Sequence, residues 1–170
     1  MDEKNTKHIL SIMVDNEPGV LARVVGLFSG RGYNIESLSV SEVDSDKFLS
    51  RITVVTSGTK LIVDQIKAQL GKLIPVHNLI DISELDSFIG KELIFVKLDV
   101  KNKNLINLIN KLKKIGIKIL LENKDELIVE YAGTPEEITK LVKLLKNTKI
   151  IEQTRSGLVS IATGTDYIKK

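Results

Sequence analysis

The sequence predicts an α+β protein made of two tandem βαββαβ modules. Strand-like and helix-like apolar patterns follow one another in the same order twice, and Gly, Asn and Asp residues mark the turns between them. The patterning is interrupted once, over Glu84 to Lys91, dividing the 170 residues into modules of about 80.

In the first half, His8 to Val14 is a β-rich apolar run and predicts a buried strand. Asp15-Asn-Glu-Pro-Gly19 breaks it, and helical spacing runs from Val20 to Arg31, with Val20, Val24 and Leu27 on one face. Gly32 stands where a left-handed residue would stop that helix. Ile35 to Val43 predicts a second strand, with Leu38 and Val40 facing one way and Ser37, Ser39 and Ser41 the other. Asp44-Ser-Asp46 turns the chain into a third strand, Phe48 to Thr56, making a hairpin. An amphipathic helix from Lys60 to Leu73 and a closing strand from Val76 to Ser83 complete a split βαβ unit of ferredoxin-like type.

The second half repeats the order. Glu92 to Val100 predicts a strand, Leu105 to Ile115 a helix ending near Gly116, and Ile117 to Leu121 with Glu126 to Ala132 a hairpin around Glu122–Asp125. Thr134-Pro-Glu-Glu137 is a capping box, with Pro in the first turn of a helix running to about Lys146. Ile150 to Ala162 supplies a last strand, or a strand pair broken at Gly157. The domain reading is residues 1–83 as the first module, 84–91 as linker and 92–170 as the second.

Composition narrows the function. Hydrophobic content of 42% against 28% charged is an ordinary globular balance, and no apolar run approaches membrane-spanning length. Met1 to Thr6 is polar with no apolar signal core, so the expectation is a soluble cytoplasmic protein. The absence of cysteine excludes disulfides, thiolate catalysis and Cys-ligated metal. His8 and His77 join no triad or metal motif, and the chain lacks a P-loop or a dinucleotide fingerprint. Aromatics at 4% are a poor supply for stacking on bases. The net charge of +3 divides unevenly: nine basic against ten acidic residues up to Ser83, sixteen against twelve beyond. The later lysines (Lys101, Lys103, Lys111, Lys113, Lys114 and Lys118) alternate with Leu and Ile, as on a solvated helix face.

The most informative segment is Val14-Asp-Asn-Glu-Pro-Gly-Val-Leu21. A helix beginning at Pro18-Gly19 presents N–H groups without internal partners, which suit a carboxylate, and Gly19 leaves room for close approach. Asn16 either caps the helix or offers its amide to a ligand, and a plain capped turn accounts for the same residues. Asn34, after the helix stop, has both donor and acceptor atoms. It lies at the other end of the helix, so the two segments can share a ligand only across a contact between two modules.

The run Ile9 to Val43, with its Asn16-Glu-Pro-Gly-Val-Leu21 turn and Gly26-Leu-Phe-Ser-Gly-Arg-Gly-Tyr-Asn-Ile-Glu-Ser-Leu38, closely resembles the opening of the small, regulatory subunit of acetolactate synthase (acetohydroxyacid synthase). Ser50-Arg-Ile-Thr-Val54, Gln69 to Val76, Glu92 to Leu98 and Arg155-Ser-Gly157 resemble that family's segments in order, so the likeness spans nearly the whole chain. The turn alone resembles ACT domains generally. The resemblance implies an ACT domain at 1–83 that pairs with a second copy and binds an effector amino acid at the seam. It implies Asn16, Pro18, Gly19, Val20, Leu21, Asn34 and Ile35 as effector contacts, with valine or a related branched-chain amino acid as the effector. It also implies a large catalytic subunit as partner, carrying thiamine diphosphate, magnesium and often FAD, with no cofactor, metal or catalytic residue on this chain.

Three other readings share the fold. A free-standing tandem ACT sensor acting on another target would match the turn equally well. An RNA-binding sheet would need aromatics where Arg51-Ile-Thr-Val-Val55 has none. An acylphosphatase-type enzyme would need an Arg in the Asp15–Gly19 loop.

Overall fold

The computed structural model of the chain describes residues 5–99, 105–165 and 168. They divide into two compact units, Met1–Gly90 with Leu158–Lys170, and Lys91–Gly157.

In the first unit, β1 (Thr6–Asp15) is central, pairing antiparallel with β3 (Leu49–Gly58) on one side and β4 (Val76–Asp81) on the other. β2 (Ser37–Asp44) lies outside β3, giving the order β2-β3-β1-β4 of a split βαβ sheet. Leu10, Ile12 and Val14 of β1 and Ile52 and Val54 of β3 face two helices, α1 (Val20–Ser29) and α2 (Lys60–Leu70). Those helices return Val20, Val24 and Phe28, and Val63, Ile66 and Leu70, each residue worth about 1.5–3 kcal/mol of burial. Both faces of β1 are closed to solvent: Ile9, Ser11 and Met13 on the far side are as buried as Leu10 and Ile12.

The turns differ from the sequence reading in instructive ways. α1 begins at Val20, because Glu17-Pro18-Gly19-Val20 forms a type II turn: Gly19 adopts φ +86°, ψ −10°, and the Val20 N–H donates to the Glu17 carbonyl at 3.3 Å. α1 ends two residues earlier than its apolar spacing, in a Schellman motif. Tyr33 N–H reaches the Phe28 carbonyl, Gly32 N–H reaches that of Ser29, and Gly32 carries φ +70°. Gly116 ends the helix α3 (Leu105–Lys114) in the same way, at φ +85°. Phe48 does not open β3. It has φ +51°, the single positive φ among described non-glycine residues, and its ring is 68% exposed in the hairpin turn. α2 stops at Leu70, with Leu73 in the following turn, and the closing strand gives way after Asp81 to a 3-10 turn, Ile82–Glu84.

The second unit follows the same plan. Its sheet runs β6-β7-β5-β8, from β5 (Phe88–Asp99), β6 (Lys118–Glu122), β7 (Glu126–Gly133) and β8 (Ile150–Arg155). β5 starts inside the stretch 84–91 and crosses the boundary between the units. α3 (Leu105–Lys114) and α4 (Pro135–Leu144) cover one face, enclosing Ile94, Val96, Leu98, Leu127, Val129, Ile138 and Leu141. The capping box at α4 is complete: the Glu137 N–H donates to Thr134 Oγ1, and the Thr134 N–H donates to the Glu137 carboxylate. Lys113, Lys114 and Lys118 are exposed; Lys101, Lys103 and the Lys111 side chain lie outside the described residues.

The segment after Gly157 is a separate strand, β9 (Val159–Ala162), that pairs beside β5 and belongs to the first unit. The sequence reading grouped it with 92–170. By strand pairing it is the fifth strand of the β6-β7-β5-β8 sheet, while by packing Leu158 joins a second apolar cluster with Ile9, Val55 and Ile82.

Gly32→Ala tests the helix stop by itself. An added Cβ would meet nothing within 4 Å, so only the left-handed backbone resists it. The expected loss is about 1–2 kcal/mol in urea denaturation, with an unchanged denaturant slope.

Candidate effector-binding site

The loop between β1 and α1 is fixed at its base. The Asp15 N–H donates to the Pro75 carbonyl, the Asn16 N–H to the Phe48 carbonyl at 2.6 Å, and Asn16 Nδ2 to Glu42 Oε1 at 3.2 Å. The Asn16 side chain therefore ties the loop to the β2–β3 hairpin and does not cap α1. Gly19 is the residue before the helix, and no side chain caps it, whereas Thr59 caps α2 and Thr134 caps α4. The Val20 N–H closes the turn, and those of Leu21 and Ala22 precede any intrahelical partner. The result is a positively polarised helix end with exposed residues Asn16 to Gly19 in front of it. Val20 is buried in the core, while Leu21 is 37% exposed beside the opening.

Asn34 and Ile35 lie at the other end of α1, before β2. The Asn34 carbonyl accepts from Thr56 Oγ1 at 2.7 Å, leaving its side-chain amide exposed, and Ile35 packs half-buried on the first core. Asn16 contacts the Phe48 end of β3 and Asn34 the Thr56 end, about 25 Å apart along an extended strand. Within one chain the structure brings Asn16, Pro18, Gly19, Val20 and Leu21 together and keeps Asn34 and Ile35 apart from them.

Sequence patterns do not reveal two polar arrangements in this unit. His8, 7% exposed, pairs through Nδ1 with Asp81 Oδ2 at 2.7 Å. Its Nε2 faces Thr6 Oγ1 at 2.9 Å, while Asp81 Oδ1 accepts from the N–H groups of Ile9 and Ser83 and from Ser83 Oγ. Thr6 and His8 are alternate residues of one strand and Asp81 is committed to the turn after β4, so the array locks β1 to β4. Ligand atoms of His8, Asp81 and Glu84 lie within 4.8 Å of one another, but Lys67 already neutralises Glu84 at 3.0 Å and Asp64 at 2.9 Å. Burial works against the Lys67 ammonium, yet its bonds to Asp64 and Glu84 prevail and raise its pKa. The second arrangement is Arg51, in the middle of β3. Its Nε donates to Ser11 Oγ at 2.7 Å and its Nη2 to the Ser160 carbonyl at 2.9 Å, and burial pulls its pKa below the usual arginine value. A charged residue inside the apolar run Ser50–Val55 was the one sequence signal for it.

A split βαβ sheet with an uncapped, glycine-opened turn after its first strand, followed by a module on the same plan, has the architecture of a chain of the ACT class. Residues 10–78 match the family model described as "AHAS small subunit-like ACT domain", and residues 91–164 match "Small subunit of acetolactate synthase". The chain is 36% identical to the acetolactate synthase small subunit of Buchnera aphidicola subsp. Schizaphis graminum, covering 93% of this chain and 99% of that one. It is 33% identical to the isozyme 3 small subunit of Escherichia coli, covering 96% and 99%. Among solved structures, the acetolactate synthase small subunit from Thermotoga maritima superposes with a TM-score of 0.87 at 26% identity, covering 95% and 99%. The chain belongs to the family of acetolactate synthase small subunits, the non-catalytic regulatory partners of that enzyme. Among the described residues no helix is long and apolar enough to cross a membrane.

His8→Ala leaves the buried Asp81 carboxylate short of one partner. The expected loss is about 1–3 kcal/mol in chemical denaturation. Amino-acid binding should be unchanged by calorimetry at a temperature where the variant is folded.

Proposed function

We propose that this chain, in the cytoplasm, activates the large catalytic subunit of acetolactate synthase and makes it sensitive to feedback by a branched-chain amino acid, valine in the first instance. The effector lies at a seam between the ACT modules of two copies. Thiamine diphosphate, magnesium and FAD belong to the large subunit, and this chain contributes no cofactor.

One observation carries this reading: the two halves of the candidate site are each incomplete and lie at opposite ends of α1. The helix opening at Gly19 offers N–H groups to a carboxylate. Asn34 offers amide and backbone atoms to an ammonium, and Leu21 and Ile35 supply apolar contact for a branched side chain. A zwitterion satisfies both halves only when a second copy brings its Asn34 to the first copy's Gly19. Binding then favours pairing by mass action, by about 2.7 kcal/mol at a hundredfold excess over the dissociation constant.

Reconstitution tests the regulatory role. The purified chain alone forms no acetolactate and raises the turnover of its cognate large subunit; turnover by the chain itself, or no change on mixing, overturns the reading. Analytical ultracentrifugation of the full chain should show valine shifting it toward the dimer. A monomer binding valine at full affinity would sink the shared site.

The site itself is tested by Gly19→Asp and Asn34→Ala, each expected to weaken valine inhibition about ten- to hundredfold. A lost hydrogen bond to a charged group is worth about 1.5–3 kcal/mol. The aspartate should cost more, since it adds a carboxylate opposite the effector's own. Gly19→Asn is the control, because asparagine tolerates the left-handed backbone without the charge. It should retain far more inhibition than Gly19→Asp. Equal half-inhibition in wild type, Gly19→Asp and Asn34→Ala would reduce Asn-Glu-Pro-Gly to a well-formed turn.

A further inference from the structure

β9 pairs with β5, and further hydrogen bonds tie this segment to the first unit. The Leu158 N–H donates to Ser37 Oγ at 2.9 Å, and Arg51 Nη2 donates to the Ser160 carbonyl at 2.9 Å. Thr163 donates through its N–H and hydroxyl to the Ser87 carbonyl, at 3.2 and 3.1 Å. Leu158 is the apolar plug, 2% exposed among Ile9, Val55 and Ile82. Opposing this, the strand is only four residues long, Val159 and Ile161 are 65% and 57% exposed, and the buried Ser160 hydroxyl has no partner among the described residues. A buried hydroxyl without a partner favours release, because water would satisfy it.

The docking point adjoins the Asn34 half of the candidate site. Ser37 is three residues from Asn34. Between them, the Glu36 N–H donates to the Val55 carbonyl at 2.8 Å, and Thr56 holds the Asn34 carbonyl at 2.7 Å. Val55 is also a wall of the pocket that receives Leu158. One short stretch, 34–37, thus bears on its start the expected ammonium contact and on its end the hydroxyl that anchors β9. At its other end β9 follows β8 by only Ser156, Gly157 and Leu158, and Ser156 is held to β5, its N–H donating to the Leu93 carbonyl and its Oγ accepting from the Leu93 N–H, both at 2.9 Å.

We propose that β9 is the element that transmits effector occupancy, with Ser37 and Arg51 as its polar anchors: an amino acid bound at Asn34–Ile35 steadies the entrance to β2 and favours the docked strand, and the change passes through Ser156–Gly157 to β8. The proposal rests on Asn34–Ile35 being part of the effector site. It supplies what a binding site alone does not, a two-state element whose equilibrium the ligand can shift.

The test uses the full chain, its cognate large subunit and L-valine. Hydrogen exchange of the amides of 158–163 should slow at least fivefold when valine saturates the wild-type chain. Ser37→Ala and Arg51→Met should bind valine within about twofold of wild type by calorimetry, yet lose most of the valine inhibition of the reconstituted enzyme. Ser37→Ala deletes one surface-side hydroxyl and keeps the test open if Arg51→Met fails to fold. Three results overturn the proposal: exchange at 158–163 indifferent to valine, inhibition of Ser37→Ala equal to wild type, or binding and inhibition lost in proportion. Failure of the underlying reading looks different: calorimetry would show either no valine binding to the wild-type chain or full-affinity binding to Asn34→Ala, whereas the proposal fails on a wild-type chain that binds valine and an Asn34→Ala chain that does not.

Discussion

The burial of β1 on both faces is the constraint from which the first module follows. A strand with one wet face would alternate apolar and polar residues; here Ile9, Leu10, Ile12, Met13 and Val14 are all inside. Helices α1 and α2 close one side, and the other is closed tightly enough that Ser11, between two hydrophobic neighbours, is fully buried and accepts from Arg51. A one-residue slip of β1 against β3 would exchange these two environments, placing Ser11 among the aliphatic core and Leu10 or Ile12 against a guanidinium. That register fixes where β1 ends, and with it where the Asp15–Gly19 loop stands.

The loop illustrates how a backbone requirement and a binding surface can coincide. A type II turn needs a residue tolerant of positive φ at its third position, and Gly19 satisfies this. A Gly at that point cannot also supply a capping oxygen, so α1 is left with open N–H groups that a Ser or Asp would have covered. Asn16, the nearest candidate cap, is engaged with Glu42 instead. The opening is therefore a by-product of turn geometry as much as a separate device, and the residues around it are free to be selected for what they contact.

Local patterning made most of this legible. Period-two and period-3.6 runs placed the strands and helices to within a few residues, and Gly32 and the Thr134 capping box stood where they were expected. Errors collected at turns. Phe48 belongs by propensity in a strand, yet the hairpin puts it in a left-handed position with its ring in solvent. The return of β9 left no local trace, because Leu158 is an ordinary apolar residue whose partners Ile9, Val55 and Ile82 are scattered along the chain. The same is true of His8 and Asp81, 73 positions apart. Of the candidate site, the glycine-opened helix start was legible and its distance from Asn34 was inferable from helix length; that Asn16 would ignore the helix in favour of Glu42 was not.

The discontinuous first module has a consequence for how the protein can be taken apart. Its boundary is crossed by the chain twice, at Gly90–Lys91 and again at Gly157–Leu158. A single peptide-bond cleavage therefore cannot separate the two modules whole: nicking within 84–91 leaves β9 covalently attached to the wrong fragment, and ending the chain before Leu158 strips the lid from Ile9, Val55 and Ile82. Exchange of modules between related proteins by one recombination event meets the same obstacle. The halves look like beads on a string in sequence, but no single cut divides them.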